Sequence, residues 1–300
     1  MRKGTYSVVA HDAQTGELGV AVQSHWFSVG SVVPWARAGV GAVATQSIAE
    51  IAHGPNILER MDVDGLSPRA ALTAVLAADE LAQYRQLGVV DAEGNVAAHT
   101  GADCIAHAGD VQGEGFTCQA NMMAGSSVPQ AMAAAFSEHG GELVERLLAA
   151  LDAAEAVGGD VRGRQSAALL VVPARGEPWR TRFDVRVEDH PEPLSELRRL
   201  TRLGRAYEMA ARADELVAEH AHAEATSLYM RAAELAPEAD ELIFWAGVGV
   251  AASDLEEGVR LVRRALAVNP AWLELLGRVP AELAPTALGI IDSLGTGHAN

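Results

Sequence analysis

Lysine, cysteine and aromatic residues are scarce in this sequence of 300 residues. One of the 23 basic residues is lysine, and aromatic residues make up 5% of the chain. The 40 acidic residues give a net charge of −17, and acids outnumber bases both before and after residue 189. The sequence lacks a basic stripe that would attract a phosphate backbone, which argues against nucleic acid and against an anionic membrane surface as partners.

Long apolar runs are lacking as well. No run approaches the roughly 18 residues that a membrane-spanning helix needs. Arg2 and Lys3 are not followed by the apolar segment of a signal peptide, because polar residues interrupt positions 11–17. Two cysteines, Cys104 and Cys118, do not make a disulfide framework. We therefore expect a cytoplasmic protein that does not bind a membrane.

Patterns typical of metal or phosphate binding are weak. His220 and His222 are two residues apart, so they face different sides of a helix. The cysteines and the nearby His99 and His107 include no C-x-x-C element. The glycine-rich segment GVGAV (39–43) is neither a complete phosphate loop nor a dinucleotide fingerprint. The sequence therefore predicts neither a metal nor a cofactor.

The first 188 residues are rich in Gly, Val and Ala and contain several strand-like runs. These runs are 6–10, 18–23, 40–45, 87–90, 96–100 and 167–172. The segments DAQTG (12–16) and DAEGN (91–95) have the turn residues of β-hairpins. Helices are predicted from the cap at Ser67-Pro68, from near Ser127, and over the segment ending at Gly158. This order predicts an α+β fold in which helices sandwich the sheets, over residues 1–188.

From about residue 189 the sequence is almost entirely helix-forming after the linker HPEPLSEL (190–197). The segments RAAELAP (231–237) and RALAVNP (264–270) are related by an offset of 33 residues, and small or apolar residues before them match in register. This pattern resembles the tetratricopeptide repeat, in which small residues let paired helices approach closely. Residues 189–300 are therefore predicted to form an all-α, repeat-like domain.

The segment GTYSVVAHD (4–12) raises a question about the Gly4–Thr5 bond. A threonine hydroxyl is a weak nucleophile unless a base removes its proton. If Thr5 were the first residue, its own α-amino group, with a pKa of about 8, would be that base. Gly4 would also let the hydroxyl approach the preceding carbonyl during self-cleavage. The alternative is that Thr5 opens a strand because β-branched residues favour strands.

Two stretches, residues 4–47 (GTYSVVAHD through VATQS) and GGDVRGRQSAALLVV (158–172), resemble the bacterial domain-of-unknown-function family numbered 1028, over roughly residues 5–188. Members of that family are similar in fold to the N-terminal-nucleophile hydrolases. The resemblance implies a four-layer αββα sandwich with Thr5 as the nucleophile on the first strand. Because MRKG precedes Thr5, either the Gly4–Thr5 bond is cut or the amine is never freed and the protein is inactive as an amidase.

The same resemblance assigns further catalytic residues. Arg37 stands where relatives in that group use a lysine, and its charge would lower the pKa of the amine. Asn121 and the backbone N–H groups of the turn ATQS, with Thr45 and Gln46, would form an oxyanion site. Asp160 would hold the amine by charge-assisted hydrogen bonds. The alternatives are that Arg37 is an ordinary ion-paired residue and that Asp160 caps a turn.

Substrate-binding positions are predicted beside the first strand. Gln23, Ser24 and His25 end the second strand and are expected next to Thr5, and Gln165 precedes the return strand. The alternatives are that both glutamines satisfy buried backbone groups and that His25 is a packed histidine.

Two functions remain open at this point. The first is an amidohydrolase that cleaves a small amide or peptide-like bond through Thr5. The second is a non-catalytic protein whose helical domain binds a peptide, a protein or a cell-wall fragment, since the resembling family carries a peptidoglycan-binding label there. A homo-oligomer is compatible with either. The catalytic hypothesis requires Thr5 to lie at a cleft that opens to solvent.

Overall fold

The structure is a computed structural model that describes residues 4–295. The chain divides into two compact units, Met1–Arg198 and Arg199–Asn300. The boundary falls inside helix α5 (Pro193–Ala218).

The first unit contains a six-stranded antiparallel sheet. Its strand order is β10-β9-β2-β1-β8-β7. The strands are β1 (Thr5–His11), β2 (Leu18–Ser24), β7 (Gly109–Gly113), β8 (Phe116–Asn121), β9 (Ser166–Val172) and β10 (Phe183–Val187). β1 lies at the centre between β2 and β8, so the amino end of the chain is held on both sides.

A second antiparallel sheet has four strands in sequence order. They are β3 (Pro34–Arg37), β4 (Gly41–Ser47), β5 (Arg85–Asp91) and β6 (Val96–Thr100). The predicted hairpins are present: residues 12–16 join β1 to β2, and residues 91–95 join β5 to β6. The fold is therefore mixed α and β, with two antiparallel sheets in one unit.

Each sheet has one face toward the other sheet and one face toward helices. Ser7 on β1 bonds to Gln46 on β4 across the gap between the sheets. On the outer face of the first sheet, α3 (Val128–Glu138) and α4 (Leu143–Ala156) cover β1, β2 and β8. On the outer face of the second, α1 (His53–Asp62) and α2 (Pro68–Leu76) cover β4, β5 and β6. Short 3-10 helices at Val29–Ser31 and Ala82–Tyr84 complete this unit.

Two local predictions in the first unit have clear physical causes. The Ser67 hydroxyl accepts a hydrogen bond from the Ala70 N–H, and Pro68 occupies the first turn of α2. The two helices predicted from near Ser127 and up to Gly158 are α3 and α4. Gly140 and Gly141 separate them, and Gly141 has a positive φ.

Over its described residues, the regular secondary structure of the second unit is all helix. Beyond α5, its helices are α6 (His222–Leu235), α7 (Asp240–Val250), α8 (Leu255–Val268), α9 (Ala271–Leu276) and α10 (Ala287–Gly295). α6 and α8 end shortly before Pro237 and Pro270, the prolines of the offset motif. The matched positions are buried in both segments: Ala225, Tyr229, Ala232, Gly258, Val262 and Ala265.

α7 and α8 approach closely because glycines face each other. A Cβ on Gly258 would lie 2.6 Å from the backbone oxygen of Gly247. Phe244 of α7 stacks on Trp272 of α9, with ring centroids 4.7 Å apart. These contacts belong to the main apolar core of the helical unit. Over residues 4–295, no helix is both long enough and apolar enough to cross a membrane.

Candidate functional site

Thr5 lies at the first position of β1, directly opposite one residue on each neighbouring strand. Ser24 at the end of β2 and Asn121 at the end of β8 are its partners in register. Residues opposite each other in an antiparallel pair place their side chains on the same face. All three are buried, and Thr5 is 0% exposed. With Gly4 in place, Thr5 is therefore closed to solvent, so the uncleaved chain does not have the open cleft at Thr5 that the catalytic hypothesis requires.

Three groups converge on the bond between Gly4 and Thr5. The Thr5 hydroxyl donates to the Ser24 hydroxyl at 3.1 Å, and the Ser24 hydroxyl donates in turn to the carbonyl oxygen of Gly4. The Nη2 of Arg162 donates to the same carbonyl oxygen at 2.8 Å. The carbonyl that precedes Thr5 is thus polarised by a hydroxyl and by a guanidinium, which is positively charged at any physiological pH.

Asp160 holds Arg162 in this position. Its carboxylate accepts from the Arg162 backbone N–H at 2.9 Å and from the guanidinium at 3.1 and 2.8 Å. It also accepts from the backbone N–H of His25 at 3.1 Å. The side chain of Asp160 is fully buried. Bidentate contacts of this kind fix the guanidinium in orientation as well as in position.

The backbone at residue 4 lies too close to neighbouring side chains to carry a side chain of its own. A Cβ at this position would lie 2.9 Å from both carboxylate oxygens of Asp160 and 3.0 Å from Nη2 of Arg162. Both distances are shorter than ordinary van der Waals contact. The absence of a side chain at Gly4 therefore allows the carbonyl to reach its two donors.

A buried layer of amide side chains lies between the sheets beside Thr5. Nε2 of Gln46 donates to the Thr5 carbonyl oxygen at 3.3 Å and to Oε1 of Gln86 at 2.8 Å. Nδ2 of Asn121 donates to the same Gln86 oxygen at 2.9 Å. Oδ1 of Asn121 is buried and has no hydrogen-bond partner. These contacts place Gln46 and Asn121 at the site, but they hold the backbone of Thr5 rather than the Gly4 carbonyl.

A cavity of about 270 Å³ adjoins this layer. It is lined by Asn121 and Met122 on one side and by Ser47, Ile48, Tyr84 and Asp103 on others. Because Asn121 is opposite Thr5, the cavity lies at the end of the sheets where Thr5 is found. Two lining residues carry hydrogen-bond acceptors, Asn121 with its amide oxygen and Asp103 with its carboxylate.

Arg37 is not at this site, contrary to the sequence prediction. Its guanidinium bonds to Asp62 at 2.7 Å and to Glu59 at 3.3 Å, both on α1. Arg37 pairs with Gly41 at the start of β4, whereas Gln46 near the other end of that strand contacts Thr5. Gly41 and Gln46 are five residues apart on an extended strand, so about 16 Å separates them. The cation beside Thr5 is instead Arg162, two residues after Asp160.

Two residues predicted at the site, Gln23 and Thr45, lie on the face of their strand that points away from Thr5. Gln23 is opposite Tyr6, which faces α4 and bonds to Glu155 there, so Gln23 lies on the outer face. Both polar atoms of the Gln23 amide are buried without a partner. The Thr45 hydroxyl donates to the carbonyl of Glu50, just before α1 on the outer face of the second sheet. Neighbouring strand residues point to opposite faces, so Ser24 rather than Gln23, and Gln46 rather than Thr45, face Thr5.

The remaining predictions are corrected by local geometry. The segment ATQS is the end of strand β4 rather than a turn, and α1 begins at His53, so no helix N-terminus follows it directly. His25 contacts Asp160 through its backbone N–H, while its ring nitrogen lies 3.3 Å from the Arg164 carbonyl. Gln165 bonds to Asp189. His25 and Gln165 thus contribute no side chain to the Gly4–Thr5 bond.

Among residues 4–295, no group of three or more His, Cys, Asp or Glu side chains is placed to hold a metal ion. Cys104 and Cys118 are both free thiols, and burial raises the pKa of Cys118 far above its usual range. A buried thiol of raised pKa is a poor nucleophile.

A model of a family of unknown function, DUF1028, matches residues 5–197. The chain belongs to this family. It is similar to the crystal structure of a DUF1028 protein from Silicibacter pomeroyi, with a TM-score of 0.61 and 34% identity over 66% of this chain and 84% of that one. A second similar structure is the ancestral β-subunit Anbu from Yersinia bercovieri, with a TM-score of 0.33 and 14% identity over 64% and 91% of the two chains. No curated protein matches the sequence.

Proposed function

We propose that the protein is an amidohydrolase of the N-terminal-nucleophile type, with Thr5 as nucleophile after cleavage of the Gly4–Thr5 bond. The observation that carries this proposal is the set of contacts around that bond. The Thr5 hydroxyl donates to Ser24, and Ser24 and Arg162 both donate to the Gly4 carbonyl oxygen. The two facing sheets with helix pairs on their outer faces support the αββα sandwich that the family resemblance implies.

Cleavage begins when the Thr5 hydroxyl oxygen attacks the carbonyl carbon of Gly4. Ser24 takes the hydroxyl proton and passes its own proton to the carbonyl oxygen, so a neutral tetrahedral intermediate forms. Arg162 stabilises the negative charge that develops on that oxygen before the proton arrives. This relay uses the two hydrogen bonds in the directions that the structure gives them.

The intermediate then breaks at the bond between the Gly4 carbon and the Thr5 nitrogen. The carbonyl reforms, the proton moves to the nitrogen, and Gly4 is left as an ester on the Thr5 hydroxyl. Water attacks this ester, the carbon–oxygen bond breaks, and residues 1–4 leave with a carboxyl group on Gly4. Thr5 keeps its hydroxyl and gains a free amine, which serves as the base in later turnovers.

Processing also explains how a fully buried Thr5 meets a substrate. Gly4 and its carbonyl occupy the position between Ser24, Asp160 and Arg162. Its departure leaves the hydroxyl of Ser24 and the guanidinium of Arg162 without this acceptor. An amide carbonyl of a substrate takes its place, and the amide is cleaved by the same steps with the Thr5 amine as base.

The test is the intact mass of the purified chain of 300 residues after incubation. We expect the mass to show loss of residues 1–4. We also expect the processed protein, but not the unprocessed protein, to hydrolyse small amides. A chain that keeps Gly4 overturns the proposal. The substitution Thr5→Ala should block both processing and amide hydrolysis.

The burial of Thr5 favours a second candidate, a binding protein without activity. The helical unit offers a cavity of about 470 Å³ lined by Tyr229 and Trp245, with Asp214 and Glu282 also in its wall. Helical repeats commonly bind peptides on such surfaces. This candidate expects an unprocessed chain and weaker peptide binding after Trp245→Ala. Unchanged binding by that variant counts against it.

A further inference from the structure

The side chains around Gly4 define the space that is available to an acyl group bound to the Thr5 hydroxyl. In the proposed cleavage the Gly4 carbon moves only from the nitrogen to the hydroxyl oxygen of the same residue. The ester that results is the same kind of acyl-enzyme that a substrate would form on Thr5. This step rests on the proposed function, and it makes Gly4 a stand-in for the acyl part of a substrate.

The α-carbon of that acyl group has no room for an L side chain. A Cβ on Gly4 would lie 2.9 Å from both Asp160 oxygens and 3.0 Å from Nη2 of Arg162. The carboxylate cannot easily move aside, because it is fully buried and accepts four hydrogen bonds. These come from the His25 N–H and, for the other three, from the backbone and guanidinium of Arg162. Displacing it would also release the guanidinium that polarises the carbonyl.

We propose that the substrates are amides of a glycyl carboxyl group, as in an N-acylglycyl amide or a peptide cleaved after glycine. The carbonyl of the glycyl group accepts from Ser24 and Arg162, as Gly4 does. Its nitrogen carries an acyl or peptidyl group, just as the Gly4 nitrogen is bonded to the preceding residue of the chain. Asp160 is then a specificity-determining residue, because its carboxylate closes the space that a side chain on an L residue would occupy.

The experiment uses a chain made with Met directly before Thr5, so that removal of the initiator Met frees the Thr5 amine without self-cleavage. Intact mass verifies that the protein begins at Thr5. The substrates are matched anilides of N-acetylglycine and N-acetyl-L-alanine, and the readout is kcat/KM for each. Forcing one methyl group into a well-packed site predicts a value about tenfold to a hundredfold lower for the alanyl anilide.

Three outcomes decide the matter. A clear preference for the glycyl anilide supports the inference. Equal hydrolysis of both anilides overturns the inference while the proposed function stands. Hydrolysis of neither by a protein that begins at Thr5 overturns both.

Self-cleavage of the full chain gives a second, independent readout. Gly4→Ala should slow processing by about tenfold or more, since its methyl group meets the Asp160 carboxylate. In an Asp160→Ala background, which processes more slowly overall, Gly4→Ala should cause little further change. The two carboxylate oxygens are then gone, and the Arg162 guanidinium, the third close neighbour, is no longer held by that carboxylate. Processing of Gly4→Ala at the parental rate would contradict the proposal.

Discussion

The hydroxyl oxygens of Thr5 and Ser24 lie 3.1 Å apart because the two residues are directly opposite on adjacent strands. The pairing of β1 with β2 thus creates a contact between residues 19 positions apart in sequence. It places an acceptor for the Thr5 proton within reach without any histidine.

Thr5→Ala should keep residues 1–4 on the chain indefinitely, because no hydroxyl remains to attack Gly4. Thr5→Ser should still be processed, since serine supplies the same nucleophile. Intact mass over a time course measures both. The control is Thr73→Ala, an exposed threonine of α2, which should process like the parent. Cleavage of the Thr5→Ala chain after Gly4 would show that an external protease is responsible.

Ser24→Ala and Arg162→Gln should each slow processing by about a hundredfold to a thousandfold, as expected for removing one donor to a developing oxyanion. The matched control is Arg164→Gln, which removes a nearby, more exposed arginine that pairs with Glu155 and Glu192. Half-times from intact mass give the comparison, and circular dichroism verifies folding. Parental rates in both variants would remove these donors from the mechanism.

Asp79→Asn should destabilise the protein by about 3 kcal/mol at neutral pH, because it leaves a buried arginine without its counter-charge. Asp79 bonds to Arg85 at 2.7 Å and to His53 at 2.6 Å, and its side chain is 10% exposed. The matched control is Asp64→Asn at an exposed pair with Arg60, where we expect less than about 1 kcal/mol. Urea unfolding measures both.

Lowering the pH should remove the contribution of the Asp79 carboxylate to the free energy of unfolding. Hydrogen bonds from Arg85, and then from His53, hold the pKa of Asp79 well below its usual value. A carboxyl with a lowered folded-state pKa stabilises the fold above its unfolded pKa of about 4, and this stability is lost as the pH falls toward the folded value. The difference in unfolding free energy between the parent and Asp79→Asn should therefore shrink below about pH 4. A constant difference down to the folded pKa would contradict this assignment.

Gly258→Ala should lower the unfolding temperature of the helical unit. Its Cβ would meet the Gly247 backbone oxygen at 2.6 Å, and backbone atoms of a packed helix cannot move aside cheaply. We expect a net loss of about 1 kcal/mol or more, even after the gain of about 1 kcal/mol from better helix propensity. The control is Gly289→Ala in α10, where the nearest atom would be 3.7 Å away. That variant should be as stable as the parent or more stable, by differential scanning calorimetry.

The hairpins of the first unit were predictable because local chemistry fixes them. Apolar strands flanked by Asp, Gly and Asn identified β1, β2, β5 and β6 without tertiary information. β8 was not predicted as a strand. Its polar residues Gln119 and Asn121 lie in the buried amide layer between the sheets, and Thr117 bonds to Gln119. Successive residues of β8 therefore point alternately to a buried polar layer and to a buried apolar layer. Hydrophobicity alone does not distinguish a buried polar residue from an exposed one.

The site was only partly predictable for a related reason. Thr5, Ser24, Gln46, Asn121 and Asp160 were predicted at the site, and the structure brings them together, although the Asp160 carboxylate binds Arg162 and the His25 N–H rather than the Thr5 nitrogen. Strict alternation along the strands could have separated Ser24 from Gln23 and Gln46 from Thr45. Arg162 was missed because its contact with the Gly4 carbonyl depends on the turn after Gly159, whose path the sequence pattern does not define. The spacing of an acid and an arginine two residues apart was the available signal.

The amide layer between the sheets has a consequence for how the chain folds. The Ser7 hydroxyl donates to Gln46 at 2.7 Å and accepts from Gln119 at 2.7 Å. If β1 shifted by one residue, Ser7 would turn toward the helices, and Tyr6 or Val8 would face two amides with nothing to bond. A shifted register of β1 would thus leave buried polar groups without hydrogen-bond partners. The amide layer therefore favours one register of the central strand among several that its apolar residues would allow.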